Sequence, residues 1–141
     1  MAGSITLRVI TPQRIVVDTT ADSVRFPGLD GSIGVLRNHA PMVAALNAGQ
    51  LTWSGPEGSG NMFVSGGFAE VRANTVRIVS EASEPASDID VERAAAAAER
   101  ARERLRDLGK TTTDESLDME RLQASLRRAL MRQKVASRIH Q

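Results

Sequence analysis

Ile5, Leu7 and Val9 alternate with Thr6 and Arg8, and Val76 and Ile78 alternate with Thr75 and Arg77. A two-residue period sends apolar side chains to one face of a strand and polar ones to the other. Turn signals punctuate the runs between them: Thr11-Pro12, Pro27-Gly28, Asp30-Gly31, Ala48-Gly49, Ser54-Gly55-Pro56 and Gly58-Ser59-Gly60. Several short strands divided at that spacing predict an antiparallel β-sandwich or flattened barrel over 4–80. A parallel sheet is not expected, because no helix-length segment separates the runs to serve as a crossover.

The period then lengthens. Ala94, Ala98, Ala101, Leu105 and Leu108 recur at helical spacing, and Gly109 follows as a C-terminal cap. Ser87, with Asp90 three residues on, reads as a capping-box-like start that places Asp88 and Asp90 at the positive end of the helix dipole. After a polar connection, Lys110-Thr111-Thr112-Thr113, a second helix begins near Asp114, with Leu122, Leu126, Ala129, Leu130 and Val135 on its apolar side. The predicted fold class is α+β: an N-terminal antiparallel β-sandwich over 1–86, followed by a two-helix hairpin over 87–141. Alanines keep the first helix formed but bury little area, which suits weak docking and a switch between folded and extended arrangements. They also permit close and rigid helix contact, and the pattern alone leaves both readings open.

Composition narrows the chemistry. The 141 residues suffice for one domain, or a small domain with an appendage, and only 3% are aromatic. The core therefore rests on aliphatic side chains and alanine, each large one contributing roughly 1.5–3 kcal/mol when buried. There is no cysteine, so disulfides and thiolate chemistry are excluded, and His39 and His140 stand far apart. The start MAGSITLRV has no basic segment followed by an apolar run, and no stretch approaches the ~18 apolar residues of a membrane helix. Any membrane role is expected to be peripheral. Charge is uneven: residues 121–141 hold six bases (Arg121, Arg127, Arg128, Arg132, Lys134, Arg138) and no acid. That stripe fits either an anionic partner or solvated cations complementing a helix dipole.

No catalytic constellation is legible. Asp18, Asp22 and Asp30 are expected in or beside turns, bonding their own backbone. Ser65-Gly66-Gly67 lacks the surroundings of a nucleophile elbow. Gly109-Lys110-Thr111 imitates the end of a phosphate-binding loop, but Arg104 occupies its first glycine position and a helix precedes it.

Two runs carry a resemblance. PGLDGSIGVLRNHAPMVAALNAG (27–49) and SGGFAEV (65–71) are similar to the signature segments of the epsilon subunit of bacterial F-type ATP synthases. The resemblance covers nearly the whole chain. It implies a non-catalytic rotor subunit, peripheral on the cytoplasmic face of the bacterial cell membrane, helping to couple proton flow to shaft rotation. Its sandwich would lie against the gamma subunit and the ring of c subunits. The ring contact is placed on the loop from Gly31 to Pro41, with His39 near that interface or bonded to its own loop. Ser32 stands where many relatives carry an acid, and Arg37 where they carry proline, which alters the charge offered to the ring. The extended hairpin would reach the alpha and beta subunits through Arg121, Arg127, Arg128, Arg132, Lys134 and Arg138, and suppress ATP hydrolysis.

Epsilon subunits that bind ATP carry an I/L-D-x-x-R-A motif, matched here by Ile89, Asp90, Arg93 and Ala94. Glu84, Arg100, Arg128 and Arg132 are counterparts of further nucleotide contacts, so the resemblance implies a regulatory ATP, although no cofactor is required. Spacing supports this independently. Arg93 and Arg100 are seven apart and Arg128 and Arg132 four apart, so each pair shares a helix face. With those faces together, four guanidiniums converge, and a triphosphate would bridge them through bidentate hydrogen bonds. The plainer alternative pairs the arginines with Glu92, Glu99 and Glu103 in exposed salt bridges worth a few tenths of a kcal/mol. Two other functions remain open: a coupling subunit whose hairpin is a static brace, and a nucleic-acid-binding β-barrel. The scarcity of aromatic stacking surfaces argues against the second.

Overall fold

The computed structural model describes residues 4–108 and 116–137. Alternating runs become strands where predicted: β1 (Ile5–Ile10) and β9 (Thr75–Val79) bury Ile5, Leu7, Val9, Val76 and Ile78 completely and leave Arg8 and Arg77 in solvent. Between them run β2 (Ile15–Ala21), β3 (Ser23–Gly28), β4 (Gly31–Leu36), β5 (Met42–Leu46), β6 (Gly49–Gly55), β7 (Gly58–Val64) and β8 (Gly67–Arg72). A short β10 (Ser83–Pro85) follows, and the pairing order is β10-β7-β6-β3-β5-β8-β9-β1-β2, with β4 beside β3. The sheet wraps round one core formed by Phe26, Leu46, Leu51, Met62, Val64 and Val71 with the β1 and β9 residues. The Asp22 amide donates to the Ser54 carbonyl at 2.8 Å, drawing the start of β3 against the end of β6.

Three expectations need correction. First, β1 and β9 pair in parallel, Thr6 opposite Thr75 through Ile10 opposite Val79. The crossover that parallel strands require is supplied by the intervening sandwich itself rather than by a helix. Second, Asp18 lies within β2, directly opposite Arg8, with its carboxylate 3.6 Å from the guanidinium, and not in a turn. Third, most of the segment from Gly31 to Pro41 is strand: Gly31–Leu36 pairs with β3 around the Leu29-Asp30 turn, where Gly31 takes a φ of 138°.

Register arranges one outer face. Ile15, Ile10, Val79, Phe68 and Ala45 lie side by side across β2, β1, β9, β8 and β5. The neighbouring row is Asp18, Arg8, Arg77, Glu70 and Val43. Ile15, Phe68 and Ala45 of the first row are exposed, so an apolar row runs beside one that is charged except for Val43.

After a 3-10 turn over Ala86–Asp88, the helices are α1 (Val91–Leu108) and α2 (Ser116–Ser137). The start predicted at Ser87 moves to Asp90, whose Oδ1 accepts the Arg93 amide at 3.0 Å and so satisfies a free donor of the first turn. The cap at Gly109, the connection over 110–113 and the start near Asp114 lie outside the described residues. Ala94, Ala98 and Ala101 form the buried stripe of α1, as predicted, and α2 buries Ala129, Val135 and Ala136.

The hairpin sits on the sandwich through α2. Val135 and Ala136, with Met131 beside them, pack on Phe63, Ala86 and Ile89, forming a second core separate from the first. Polar bonds align this contact: Asn61 Nδ2 donates to the Val135 carbonyl at 3.2 Å, and Gln50 Nε2 donates to Asn61 Oδ1 at 2.7 Å.

Candidate functional site

A cavity of about 410 Å³ opens where β10, the 3-10 turn and the two helices meet. Its lining is Glu84, Asp88, Asp90, Arg93, Ala94, Ala97, Arg100 and Arg132. Ala94 and Ala97 give α1 a low wall, and Arg93 and Arg100 frame it two turns apart. Ile89 is buried below in the second core, where it anchors the turn that aims Asp90. Three carboxylates therefore meet three guanidiniums, and the lining is formally neutral.

The pairing within it is specific. Arg132 Nε donates to Glu84 Oε1 at 2.6 Å, and the same guanidinium lies 4.4 Å from the centroid of the Phe63 ring. Asp90 spends one oxygen on the helix cap. Arg93 and Arg100 are exposed, and among the described residues neither forms an ion pair. The predicted surface salt bridges do form on α1, but with other arginines: Glu99 contacts Arg102 at 3.7 Å and Arg106 at 3.6 Å. Arg93, in the first turn of α1, and Arg100, two turns further on, thus remain outside the described ion pairs, and Arg93 lies beside a helix N-terminus, a setting that favours phosphate oxygens.

Arg128 does not join them. Its guanidinium turns back one helical turn to donate to Ser125 Oγ at 3.1 Å, so three of the four predicted arginines converge and the fourth stays outside the cavity.

The residues assigned to partners are spread widely. Gly31, Ser32 and Arg37 are exposed on or beside β4, with Arg25 donating to Ser32 Oγ at 3.4 Å. His39 Nδ1 donates to the Ala40 carbonyl at 2.8 Å, the local bond that one reading of this histidine expected. Asn38, at a φ of 64°, donates its amide to Asn74 Oδ1 at 2.7 Å, tying this loop to the β8–β9 turn. Arg127 donates to Asn47 Oδ1 at 3.1 Å, and Arg121 is exposed on α2. Arg138 lies outside the described residues.

Phe63, which stacks on Arg132, is the residue at the site that sequence reasoning missed. Its signal was Met62-Phe63-Val64, three apolar residues in succession, which breaks the alternation of a strand covered on one face only. Met62 and Val64 enter the sandwich core, while Phe63 points to the hairpin.

These features define a protein of two parts, a β-sandwich and a seated helical hairpin with an arginine-framed cavity in the seam. Residues 4–86 match the β-sandwich domain of the ATP synthase delta/epsilon chain, and residues 87–137 match its long α-helix domain. The chain belongs to the ATP synthase delta/epsilon family, as an epsilon-type subunit of the F-type enzyme. It is 41% identical over 135 residues to the ATP synthase epsilon chain of Nitratidesulfovibrio vulgaris, covering 96% of this chain and 97% of that one. To the ATP synthase epsilon chain of Moorella thermoacetica it is 42% identical over 138 residues, covering 97% and 99%. Among solved structures, a chain of the Euglena gracilis mitochondrial ATP synthase (OSCP/F1/c-ring) superposes with a TM-score of 0.69 at 21% identity, covering 99% of this chain and 81% of that one. A chain of the Tetrahymena thermophila mitochondrial ATP synthase central stalk/c-ring gives 0.67 at 12% identity, covering 94% and 96%. At those identities the likeness is one of fold.

Proposed function

We propose that this subunit works in the central stalk, at the cytoplasmic face of a bacterial membrane. Its sandwich binds gamma and the c-ring, and its hairpin acts as an ATP-sensing inhibitor of ATP hydrolysis through the alpha and beta subunits. Support for the stalk position comes from the fold shared with the central-stalk/c-ring assembly of Tetrahymena and from the outer face of the sandwich. An apolar row flanked by charges is suited to a protein interface, where a buried apolar strip gives affinity and the charges set register. The row Ile15–Ile10–Val79–Phe68–Ala45 is assigned to gamma. Exposed Leu29 and Leu36, with Gly31, Ser32 and Arg37, are assigned to the ring.

One observation carries the sensing role: the cavity takes its walls from three parts that separate if the hairpin extends. Glu84 belongs to the sandwich, Arg93 and Arg100 to α1, and Arg132 to α2. A nucleotide spanning them binds the seated hairpin and not the extended one. It therefore stabilises the seated state by RT ln(1 + [L]/Kd), and a ligand with no such preference would shift nothing. Arg93 and Arg100 are assigned to the phosphates, and extension releases Arg127 from Asn47 and Arg132 from Glu84 to join Arg121 and Arg128 toward an acidic partner.

A static brace is the rival reading, favoured by the contacts that seat α2 directly on the sandwich. Calorimetric titration with ATP and ADP, repeated on Arg93→Ala, separates the two. One-to-one binding that prefers ATP and weakens at least tenfold in the variant, the loss expected for one charge-assisted phosphate contact, is the predicted outcome. No heat up to millimolar ATP would leave the brace.

A further inference from the structure

The contact that seats the hairpin is built from an unusual coincidence of register. Glu84 on β10 and Phe63 on β7 are directly opposite one another in the pairing, so their side chains stand side by side on the outer face of the sheet. The Arg132 guanidinium occupies the space they share, 2.6 Å from the carboxylate and 4.4 Å from the ring centroid. Both charged side chains are about two-thirds buried, at 28% exposure for Arg132 and 33% for Glu84, and Phe63 is wholly buried. An arginine meets both demands at once, because its edge donates hydrogen bonds to a carboxylate while its face stacks on an aromatic ring.

We infer that Glu84 and Phe63 form a receptor for Arg132, a latch that by itself holds the hairpin on the sandwich. The alternatives for holding α2 are weak. Its apolar contribution to the seat is Val135, Ala136 and part of Met131, and its interface with α1 is largely alanine. The remaining polar bonds, from Asn61 to the Val135 carbonyl and from Arg127 to Asn47, are single and neutral on at least one side. The latch is the one described contact between helix and sandwich that combines charge, burial and stacking. Its release exposes the Phe63 ring and frees a cation on α2 in a single step, so seated and released arrangements are discrete states. Glu84, Phe63 and Arg132 contact one another directly, so the latch does not depend on nucleotide binding.

The test uses the full chain without nucleotide. Because there is no native cysteine, Ser59→Cys and Glu103→Cys, both at exposed positions, introduce a donor–acceptor dye pair reporting on sandwich and α1. Single-molecule energy transfer then reads the ratio of seated to released hairpin. Glu84→Gln, which keeps shape and removes charge, is expected to lower that ratio about tenfold, the size of one charge-assisted hydrogen bond. Phe63→Leu should lower it severalfold, and Arg132→Lys should not restore the wild-type value, since an ammonium cannot fork and stack together. The exchange Glu84→Arg with Arg132→Glu should recover part of the loss, which a merely structural role of either residue would not do. A ratio within twofold of wild type in Glu84→Gln, or no recovery in the exchange, overturns the latch. Glu84→Gln removes no core volume and keeps the test decisive even if Phe63→Leu fails to fold.

Discussion

Gly67 has a φ of 106°, and a Cβ there would drive into the carbonyl of Val79 and the backbone of Ser80. Gly66 beside it stands at 121°, so both glycines of the SGG run are required by backbone geometry. Ser65 completes the corner: its amide donates to the Ala82 carbonyl at 3.0 Å, and its Oγ accepts the Ala82 amide at 3.0 Å. This junction joins the end of β7 to the segment leading toward β10, and thus positions Glu84. Gly67→Ala is expected to cost about 2 kcal/mol or more, combining strained φ with a backbone clash, read as a lowered urea midpoint. The run was legible as a resemblance, but its reason was not, because it depends on Val79, a residue far along the chain. Arg128 shows the converse. Its spacing from Arg132 placed both on one helical face, yet a hydrogen bond to Ser125 decides where the guanidinium ends.

Elements were most legible where burial is one-sided. β1 and β9 show clean alternation because their outer faces stay solvated, whereas β7 carries apolar residues on both faces because α2 covers one of them. β4 escaped as a loop because its glycines and Ser32 give a weak pattern at a partly exposed sheet margin. The start of α1 was misplaced for a physical reason. Ser87 and Asp90 are both good caps, and the 3-10 turn over Ala86–Asp88 postpones the helix until Asp90 can accept the Arg93 amide. Alanine on the buried face sets how closely α1 approaches α2. Ala98, 1% exposed, is the sharpest probe of that contact. Ala98→Leu should overpack the seam and weaken docking of α1 by about 1–3 kcal/mol, raising hydrogen exchange across α1 while the sandwich stays protected.

At the scale of the molecule, two cores divide the labour. The sandwich core contains no helix residue, and the second core consists of Phe63, Ala86 and Ile89 under α2. The general plan, sandwich then hairpin, was readable from the change of period near residue 86. The parallel closure of β1 on β9, the seat of α2 and the alignment of the apolar row were not, since each is a long-range register relation without a local signal. That row predicts a specific defect. Phe68→Asp should leave the fold intact, because Phe68 points outward, yet weaken association with gamma about thirtyfold, as for a hot-spot loss of about 2 kcal/mol. Binding of the purified chain to gamma, measured by titration, checks this.

Independent cores also make the central claim directly accessible. A chain ending at Ser87 keeps the whole sandwich core and lacks α1, α2 and the cavity arginines. The ATP hydrolysis rate of enzyme reassembled with that chain, compared with the full-length subunit in the same membranes, is the measurement to make. A regulatory hairpin predicts normal assembly and proton coupling with hydrolysis raised severalfold. Hydrolysis unchanged by the truncation would contradict the account and leave the hairpin as a brace.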